Sequence, residues 1–171
     1  FLISFLLYND GIQTVIIMTS IFCDQELKMS EDSIILLFLM IQGTAFFGSL
    51  IFGYIADILK SRRTIMITLV VWTFVVVWAF FIGFTGNPVR EFWFLGVLVG
   101  LILGGSQAAS RSLQGVFTPP ANSAEFFGFF ALSNKFASIF GPLIYGLIIW
   151  LTHSLRAGIL SLIIFFIAGF I

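Results

Sequence analysis

Long apolar segments alternate along this chain with short polar connectors. A helix that crosses the hydrocarbon core of a bilayer needs about 20 largely apolar residues. Six segments approach that length: 1–21, 33–56, 64–84, 92–111, 125–151 and 157–171. The alternating segments of about 10 residues that mark the strands of a membrane barrel do not occur. The pattern therefore predicts an all-α membrane protein with six transmembrane helices.

Helix punctuation supports these boundaries. Ser30 is placed to cap the second predicted helix. Asn122, with Glu125 three residues later, resembles a capping box for the fifth. Gly141 and Pro142 should bend that helix, because proline lacks a backbone donor and glycine is pliant.

The composition excludes several other classes of protein. Hydrophobic residues make up 60% of the chain, charged residues 9%, and the mean hydropathy is +1.13. A soluble domain of this size could not bury so much apolar surface, so the lipid bilayer is the expected surrounding. A net charge of zero argues against nucleic-acid binding. One cysteine excludes an internal disulfide framework and a cysteine-rich metal site, and we expect no metal or cofactor.

The connector around residues 53–63 indicates the orientation of the chain. Lys60, Arg62 and Arg63 concentrate positive charge there, which places this loop in the cytoplasm. Both chain ends then lie near the cytoplasmic face, and the 22–32 loop faces outside. We expect a multi-pass protein of the cell (inner) membrane. Because the chain starts and stops within apolar segments and has no visible signal peptide, we expect a fragment of a longer protein.

Two charged residues fall near the middle of predicted helices. Asp10 lies about 16 Å from the outer end of its helix, and Lys135 about 15 Å from the start of its own, at 1.5 Å per residue. A bare charge at that depth costs several kcal/mol, so it must be paired, neutralised or hydrated. Asp10 is interpreted either as a proton or cation site or as a structural acid that caps a break at Gly11. Lys135 is its expected partner, or a lysine whose stem merely reaches a polar cavity.

Further polar and small residues occupy the same segments. Amides and hydroxyls in membrane helices usually bond to other helices, and for each of these residues that interpretation is favoured over lining a pathway. The residues in question are Asn9, Gln13, Gln42, Ser106, Gln107, Ser110, Ser133 and Asn134. Gly96, Gly100 and Gly104 form a small-residue stripe that lets helix backbones approach closely. Asp57, at a helix C-terminus, needs a compensating positive group, since the helix dipole disfavours an anion there. Arg62 and Arg63 can supply it locally, or the N-terminus of another helix can supply it across a domain interface.

Taken together, these residues resemble the C-terminal six-helix half of a major facilitator superfamily transporter. More narrowly, the chain is similar to the vacuole-effluxer-like branch, which is linked to autophagy and amino-acid efflux. The resemblance covers nearly the whole chain and is carried by Tyr8-Asn9-Asp10-Gly11 with Gln13 and Thr14, Gly53 with Asp57 and Arg62-Arg63, Gly104-Gly105-Ser106-Gln107 with Ser110-Arg111, and Ser123 to Gly128 with Lys135 and Gly141-Pro142. The loop departs from the family at Ile58, where a basic residue is usual, and at Lys60, where glycine is usual.

The resemblance implies a fold and a function. Each half of such a transporter is built from two inverted three-helix repeats, and the substrate site lies between the halves near the midplane. By that analogy Asp10 and Gln107 line the cavity, together with Asn9, Gln13 and Lys135. Gly53, Asp57, Arg62 and Arg63 would form a cytoplasmic gating loop that meets the missing N-terminal half. The expected activity is secondary transport of a small polar solute, such as an amino acid, by alternating access with a coupling proton or cation.

Other classes of function are weighed against the transporter. An intramembrane hydrolase needs a nucleophile and a base at depth, but the one histidine, His153, lies in an outer loop, so no enzyme is expected. A channel subunit and a structural membrane scaffold are the alternatives. Saturable uptake that depends on the solute favours the carrier, whereas an unsaturable ion current favours the channel.

Overall fold

The computed structural model describes residues 1–83 and 86–170, and every regular element within them is a helix. The α-helices are α1 (Leu2–Gln25), α2 (Glu31–Leu59), α3 (Ser61–Phe80), α4 (Pro88–Phe117), α5 (Ser123–Phe136), α6 (Phe140–Thr152), α7 (Leu155–Ser161) and α8 (Ile163–Ala168). A 3-10 turn at Pro120–Asn122 precedes α5. The predicted helix ends at 84 and 171 lie outside the described residues. Taking α5 and α6 as one span, five stretches are long and apolar enough to cross a membrane, and 155–168 is a shorter apolar stretch.

The predicted helix 125–151 is two helices in the structure. It breaks at residues 137–139, between α5 and α6. The ring of Pro142 would clash with the carbonyl of Ser138, four residues earlier, so the helix cannot run through this point unchanged. The predicted segment 157–171 is likewise divided, into α7 and α8, at Leu162.

The two predicted caps have different outcomes. Ser30 caps α2 as expected, because its Oγ accepts a hydrogen bond from the backbone N–H of Ser33 at 3.4 Å. The predicted capping box at α5 is wrong. Asn122 makes no side-chain cap, and its Nδ2 instead donates to Glu125 Oε2 at 3.2 Å. The two side chains satisfy each other rather than the helix end.

The connector between α2 and α3 is shorter than the polar pattern indicates. Most of residues 53–63 is helical, and Lys60 alone separates the two helices. Lys60 has φ +70° and ψ 141°, a conformation that favours glycine. Just after it, the hydroxyls of Ser61 and Ser112 lie 2.8 Å apart and tie α3 to α4.

The glycine stripe of α4 packs closely on α2, as its spacing predicts. A Cβ added at Gly100 would clash with Thr44 Oγ1, and one at Gly104 with the backbone of Ala45. On the α2 side, a Cβ at Gly48 would clash with the carbonyl of Leu101. The two helices therefore meet backbone to backbone, with no room for a methyl group at these positions.

The connectors gather at the two ends of the bundle. One end of the bundle is here called the loop face. There the first turn of α1 and the residues after α8 lie beside α3 and α4. The ring centroids of Phe1 and Phe117 are 5.8 Å apart at this end. At the other end, Arg156 Nε donates to Glu26 Oε1 at 2.6 Å. Its guanidinium also donates to the carbonyls of Phe80 and Ile82, at 3.3 and 3.0 Å. Arg156 thus ties the C-terminal ends of α1 and α3 to the start of α7.

Candidate functional site

A cluster of polar side chains lies inside the apolar bundle, where α1, α4, α5 and α6 meet. Asn9 is its centre and is 1% exposed. Its Nδ2 donates to Asn134 Oδ1 on α5 at 2.6 Å, and its Oδ1 accepts from Gln107 Nε2 on α4 at 3.4 Å. One amide therefore links three helices and uses both of its polar ends. Such interhelical bonds fix the relative positions of the helices that make them.

Asp10, the next residue, is fully buried and bonds to α6. Its Oδ2 accepts a hydrogen bond from the backbone N–H of Gly141 at 2.9 Å, at the start of α6. The first N–H groups of a helix have no partner within it and carry a partial positive charge, which suits a carboxylate. Asp10 is therefore a cap supplied to α6 from another helix. The alternative interpretation, in which Asp10 caps a break at Gly11, is wrong, because α1 is continuous from Leu2 to Gln25.

The expected pair between Asp10 and Lys135 is not formed. Lys135 is exposed near the C-terminus of α5 and has no ion pair with any described residue. The amide of Gly141 takes the place that the lysine was expected to fill. Matching depth in the membrane did not put the two charges together, because Lys135 is exposed whereas Asp10 is buried against α6.

A second set of hydrogen bonds runs from α1 to α3 through α4. The hydroxyls of Tyr8 and Ser110 are 2.7 Å apart, and Ser110 Oγ donates to the carbonyl of Ser106 at 2.6 Å. Trp72 Nε1 on α3 donates to Ser106 Oγ at 3.5 Å. All four side chains are buried. These bonds hold Asn9 and Asp10 at a fixed rotation of α1.

The remaining predicted site residues are spread over the molecule. Gln13 is half-buried one turn after Asn9 and makes no hydrogen bond with its side chain to any described residue. Gly53 has open space where a Cβ would be added. Asp57, Arg62 and Arg63 are all exposed at the loop face. Among the described residues, none of these three forms an ion pair, so the compensation expected for Asp57 is not supplied by the neighbouring arginines.

Arg62 does border a cavity of about 230 Å³ at the loop face. Ser4 and Tyr8 supply hydroxyls to its lining, and the other walls are apolar side chains of α1, α3, α4 and the residues after α8. The cavity is separate from Asp10, which faces α6. Tyr8 is the residue that connects the cavity to the buried hydrogen bonds of α4.

Sequence reasoning missed the amide of Gly141 as the partner of Asp10. A signal for it was present. A helix that breaks before Gly141-Pro142 leaves backbone N–H groups without partners at the depth of Asp10, and a buried N–H needs an acceptor. The role of Tyr8 was also missed, since a tyrosine beside Asn9 gives no sign of its partner.

These features define a class of protein: a multi-pass helical membrane protein with polar side chains buried between its spans. The model of the family described as "Vacuole effluxer Atg22 like" matches residues 1–171. The chain belongs to that family. The expected kinship with the vacuole-effluxer-like branch of the major facilitator transporters is thereby confirmed.

Similar proteins come from bacteria and yeasts. The chain is 33% identical over 171 residues to an uncharacterized MFS-type transporter, YxiO, of Bacillus subtilis, covering 100% of the chain and 39% of that protein. It is 30% identical over 179 residues to autophagy-related protein 22 of Kluyveromyces lactis, covering 99% of the chain and 36% of that protein. The chain thus spans less than two-fifths of the length of these relatives. No solved structure gives a significant match.

Proposed function

We propose that this chain is the C-terminal six-helix half of a secondary active transporter that moves a small polar solute by alternating access. An amino acid is the candidate solute. The proposal includes the two inverted three-helix repeats of the major facilitator fold, α1 to α3 and α4 to α8. The other wall of the pathway belongs to an N-terminal half.

The observation that carries the proposal is the buried cluster around Asn9. Polar groups within membrane spans are expensive, and ionisable ones, such as Asp10 beside Asn9, mark solute or ion pathways. Here Asn9 and Gln107 come from α1 and α4, the first helix of each proposed repeat. In the major facilitator arrangement the substrate site lies between the two halves near the midplane, and the first helix of each repeat lines it. Family membership and the transporter name of the Bacillus relative support the same assignment.

Alternating access requires helices that bend at the level of the site. The break between α5 and α6 lies beside Asp10 and gives this span two segments that can tilt separately. Discontinuous helices with their ends directed at the bound solute or ion are a recurring device in transporters. Asp10 is the proposed coupling site, and the loop carrying Asp57, Arg62 and Arg63 is the proposed cytoplasmic gate, in the cell membrane.

Transport by the full-length protein in liposomes tests the proposal. Each radiolabelled amino acid is tested singly by counterflow, with excess unlabelled amino acid inside and no ion gradient. We expect saturable accumulation of at least one of them. Asn9→Ala removes the bonds to Gln107 and Asn134, and a loss of about tenfold in initial rate would correspond to about 1.4 kcal/mol.

Ser20→Ala is the matched control, because Ser20 lies on the same helix and, among the described residues, its side chain bonds only to the carbonyl of Ile17. It should leave the rate unchanged. An ion current that rises linearly with concentration would instead identify a channel. Absence of both flux and current for every solute would favour the structural scaffold.

A further inference from the structure

We infer that Asp10 binds a proton, and that protonation releases the N-terminus of α6 from α1. The inference rests on the proposed function and narrows its coupling particle from a proton or cation to a proton. It assigns the proton to Oδ1 of Asp10, the carboxylate oxygen that does not hold Gly141.

The two oxygens of Asp10 are not equivalent. Oδ2 accepts the hydrogen bond from Gly141 N at 2.9 Å. Oδ1 is buried and has no hydrogen-bond partner among the described residues. An unpartnered polar atom in a buried site is costly, and a carboxylate oxygen can remove part of that cost by taking up a proton. The geometry therefore provides one oxygen for holding α6 and one for the proton.

The space around Oδ1 suits a proton rather than a metal ion. A Cβ built on Gly141 would lie 3.0 Å from Oδ1 and 3.0 Å from the backbone oxygen of Asp10, and it would clash with Thr14 Oγ1. The hydroxyl of Thr14 already donates to that backbone oxygen at 2.7 Å. Hard metal cations gather about six or more oxygen ligands. A contact between α1 and α6 without room for a methyl group leaves no place for such a shell.

No other described charge faces Asp10 from the helices around it. Lys135 of α5 is exposed, α8 has no titratable side chain, and the ionisable residues of α2 lie at its two ends. On α6, Tyr145 is one turn beyond Gly141 and is buried, with a hydroxyl that has no partner among the described residues. On α4, the polar side chains that bond to the two residues before Asp10 are neutral: the hydroxyl of Ser110 bonds to Tyr8, and the amide of Gln107 bonds to Asn9. The charge of Asp10 is thus balanced chiefly by the N-terminus of α6.

Protonation changes that balance in a definite direction. The ionised carboxylate makes a charge-assisted bond to Gly141 N–H and interacts favourably with the positive end of α6. When a proton from water binds Oδ1, the product is a neutral acid with a weaker bond and no charge for the helix dipole. Because α5 and α6 are already separated at 137–139, α6 is free to tilt once this contact weakens.

The test uses the full-length protein without other cysteines, spin-labelled at Ile17→Cys on α1 and Leu147→Cys on α6. Both side chains are exposed. Pulsed electron paramagnetic resonance then measures the distance between the labels as a function of pH. We expect a second distance, shifted from the first, and the fraction of molecules that show it should increase as the pH falls. Asp10→Asn, which is neutral at every pH, should show the shifted distance throughout and lose the pH dependence.

Asp24→Asn is the matched control, an exposed acid at the end of the same helix, and should keep the pH response of the parent protein. A parent protein whose distance does not change with pH would overturn the inference, and this arm needs no variant of Asp10. A response to NaCl at constant pH, in place of the response to pH, would overturn it in favour of a metal cation.

Counterflow separates this inference from the transporter proposal. If amino-acid counterflow is observed but the distance between the labels does not change with pH, the proton site is rejected and the transporter proposal is supported. A pH response that is lost in Asp10→Asn, without flux of any amino acid tested, supports the proton site and counts against the proposed solute class.

Discussion

At the scale of single residues, the environment of Asp10 shows how a charge is kept inside an apolar bundle. Its stabilising partner is a backbone amide at the start of a helix rather than a cationic side chain. A helix N-terminus carries roughly half a positive charge, and it can move only together with its helix, whereas a lysine side chain can move alone. The position of Asp10 therefore constrains the whole of α6.

This arrangement predicts that Asp10 and Lys135 act independently on stability. Asp10→Asn should lower the free energy of unfolding, because the cap of α6 loses its charge. Lys135→Gln should change it by less than about 0.5 kcal/mol, as is usual for exposed positions. The double variant should equal the sum of the two within about 0.5 kcal/mol. Chemical unfolding of all four proteins in detergent measures this, and a clear departure from additivity would show that the two charges meet in another conformation.

Lys60 has a backbone conformation that side chains rarely adopt, with φ +70°. Positions of this kind cost about 1–3 kcal/mol when the residue is not glycine, and glycine itself costs about 0.5–1 kcal/mol in unfolded-chain entropy. Lys60→Gly should therefore raise the free energy of unfolding by about 1 kcal/mol, measured by thermal unfolding. Lys135→Gly, within α5, should lower it by about the same amount, because glycine disfavours helix. A loss of stability in Lys60→Gly would contradict the assigned backbone strain.

At the scale of elements, the contact between α2 and α4 depends on glycines, whose lack of a side chain lets the two backbones meet. A Cβ at Gly104 would lie 2.8 Å from the backbone nitrogen of Ser49 and would clash with the carbonyl of Ala45. Backbone atoms cannot turn aside as a flexible side chain can, so the two helices must separate. Gly104→Ala should therefore lower the free energy of unfolding by about 1–3 kcal/mol, the usual range for overpacking.

Gly115 on the same helix is the control, since a Cβ there meets nothing within 4 Å. Gly115→Ala should be neutral or stabilise by up to about 1 kcal/mol through helix propensity. The two variants are compared by thermal unfolding under the same conditions. Equal effects would mean that α2 and α4 do not pack as closely as described.

The helices could be predicted from the sequence to different degrees, for physical reasons. The apolar length of 33–56 and 92–111 placed α2 and α4, and the glycine spacing predicted a close helix contact for α4, because both signals are local. The spacing did not identify α2 as the partner. From Pro142 the sequence predicted a bend in one helix, whereas the structure has two helices separated at 137–139. The capping of α6 by Asp10 depends on how α1 and α6 are rotated against each other, and no local pattern contains that rotation.

The same limit applies to the polar residues. Asn9 and Gln107 do contact each other, since amides within a bundle seek partners on other helices. Asp10 was assigned to Lys135 by charge and depth, which ignored the unpaired amides that a helix break exposes. Counting backbone donors at Gly141 would have offered the correct partner. Lys60 stands where the family usually has glycine, and the structure gives it the positive φ that favours glycine.

At the scale of the whole molecule, the loop face and the Arg156 end should lie on opposite sides of the membrane. Single cysteines at Ala121, exposed between α4 and α5, and at Gln25, exposed at the end of α1, report the two sides. In intact cells without Cys23, an impermeant maleimide should label position 25. Position 121 should react only after permeabilisation, because the basic residues of the α2–α3 connector favour the cytoplasm. The reverse pattern would invert the proposed orientation.

The last prediction concerns transport by the 171-residue chain alone. Alternating access needs two bundles that rock around a shared site, and these helices supply one wall of it. The exposed polar groups of α5, Lys135 among them, would then meet lipid, at a cost of several kcal/mol for a charge near the midplane. We therefore expect the isolated chain to self-associate and to give no saturable flux in liposomes.

Co-expression with the N-terminal half that the proposal requires should restore both a single dispersed species and amino-acid counterflow. Size-exclusion chromatography in detergent reports the first, and counterflow the second. Asn9→Ala in the co-expressed pair should again lower the flux while leaving assembly intact, because Asn9 bonds only within this bundle among the described residues. Robust, saturable flux from the 171-residue chain alone would show instead that two copies of it form the pathway. The site would then consist of the polar cluster around Asn9 from each of the two copies, and the two clusters would face each other across a two-fold axis.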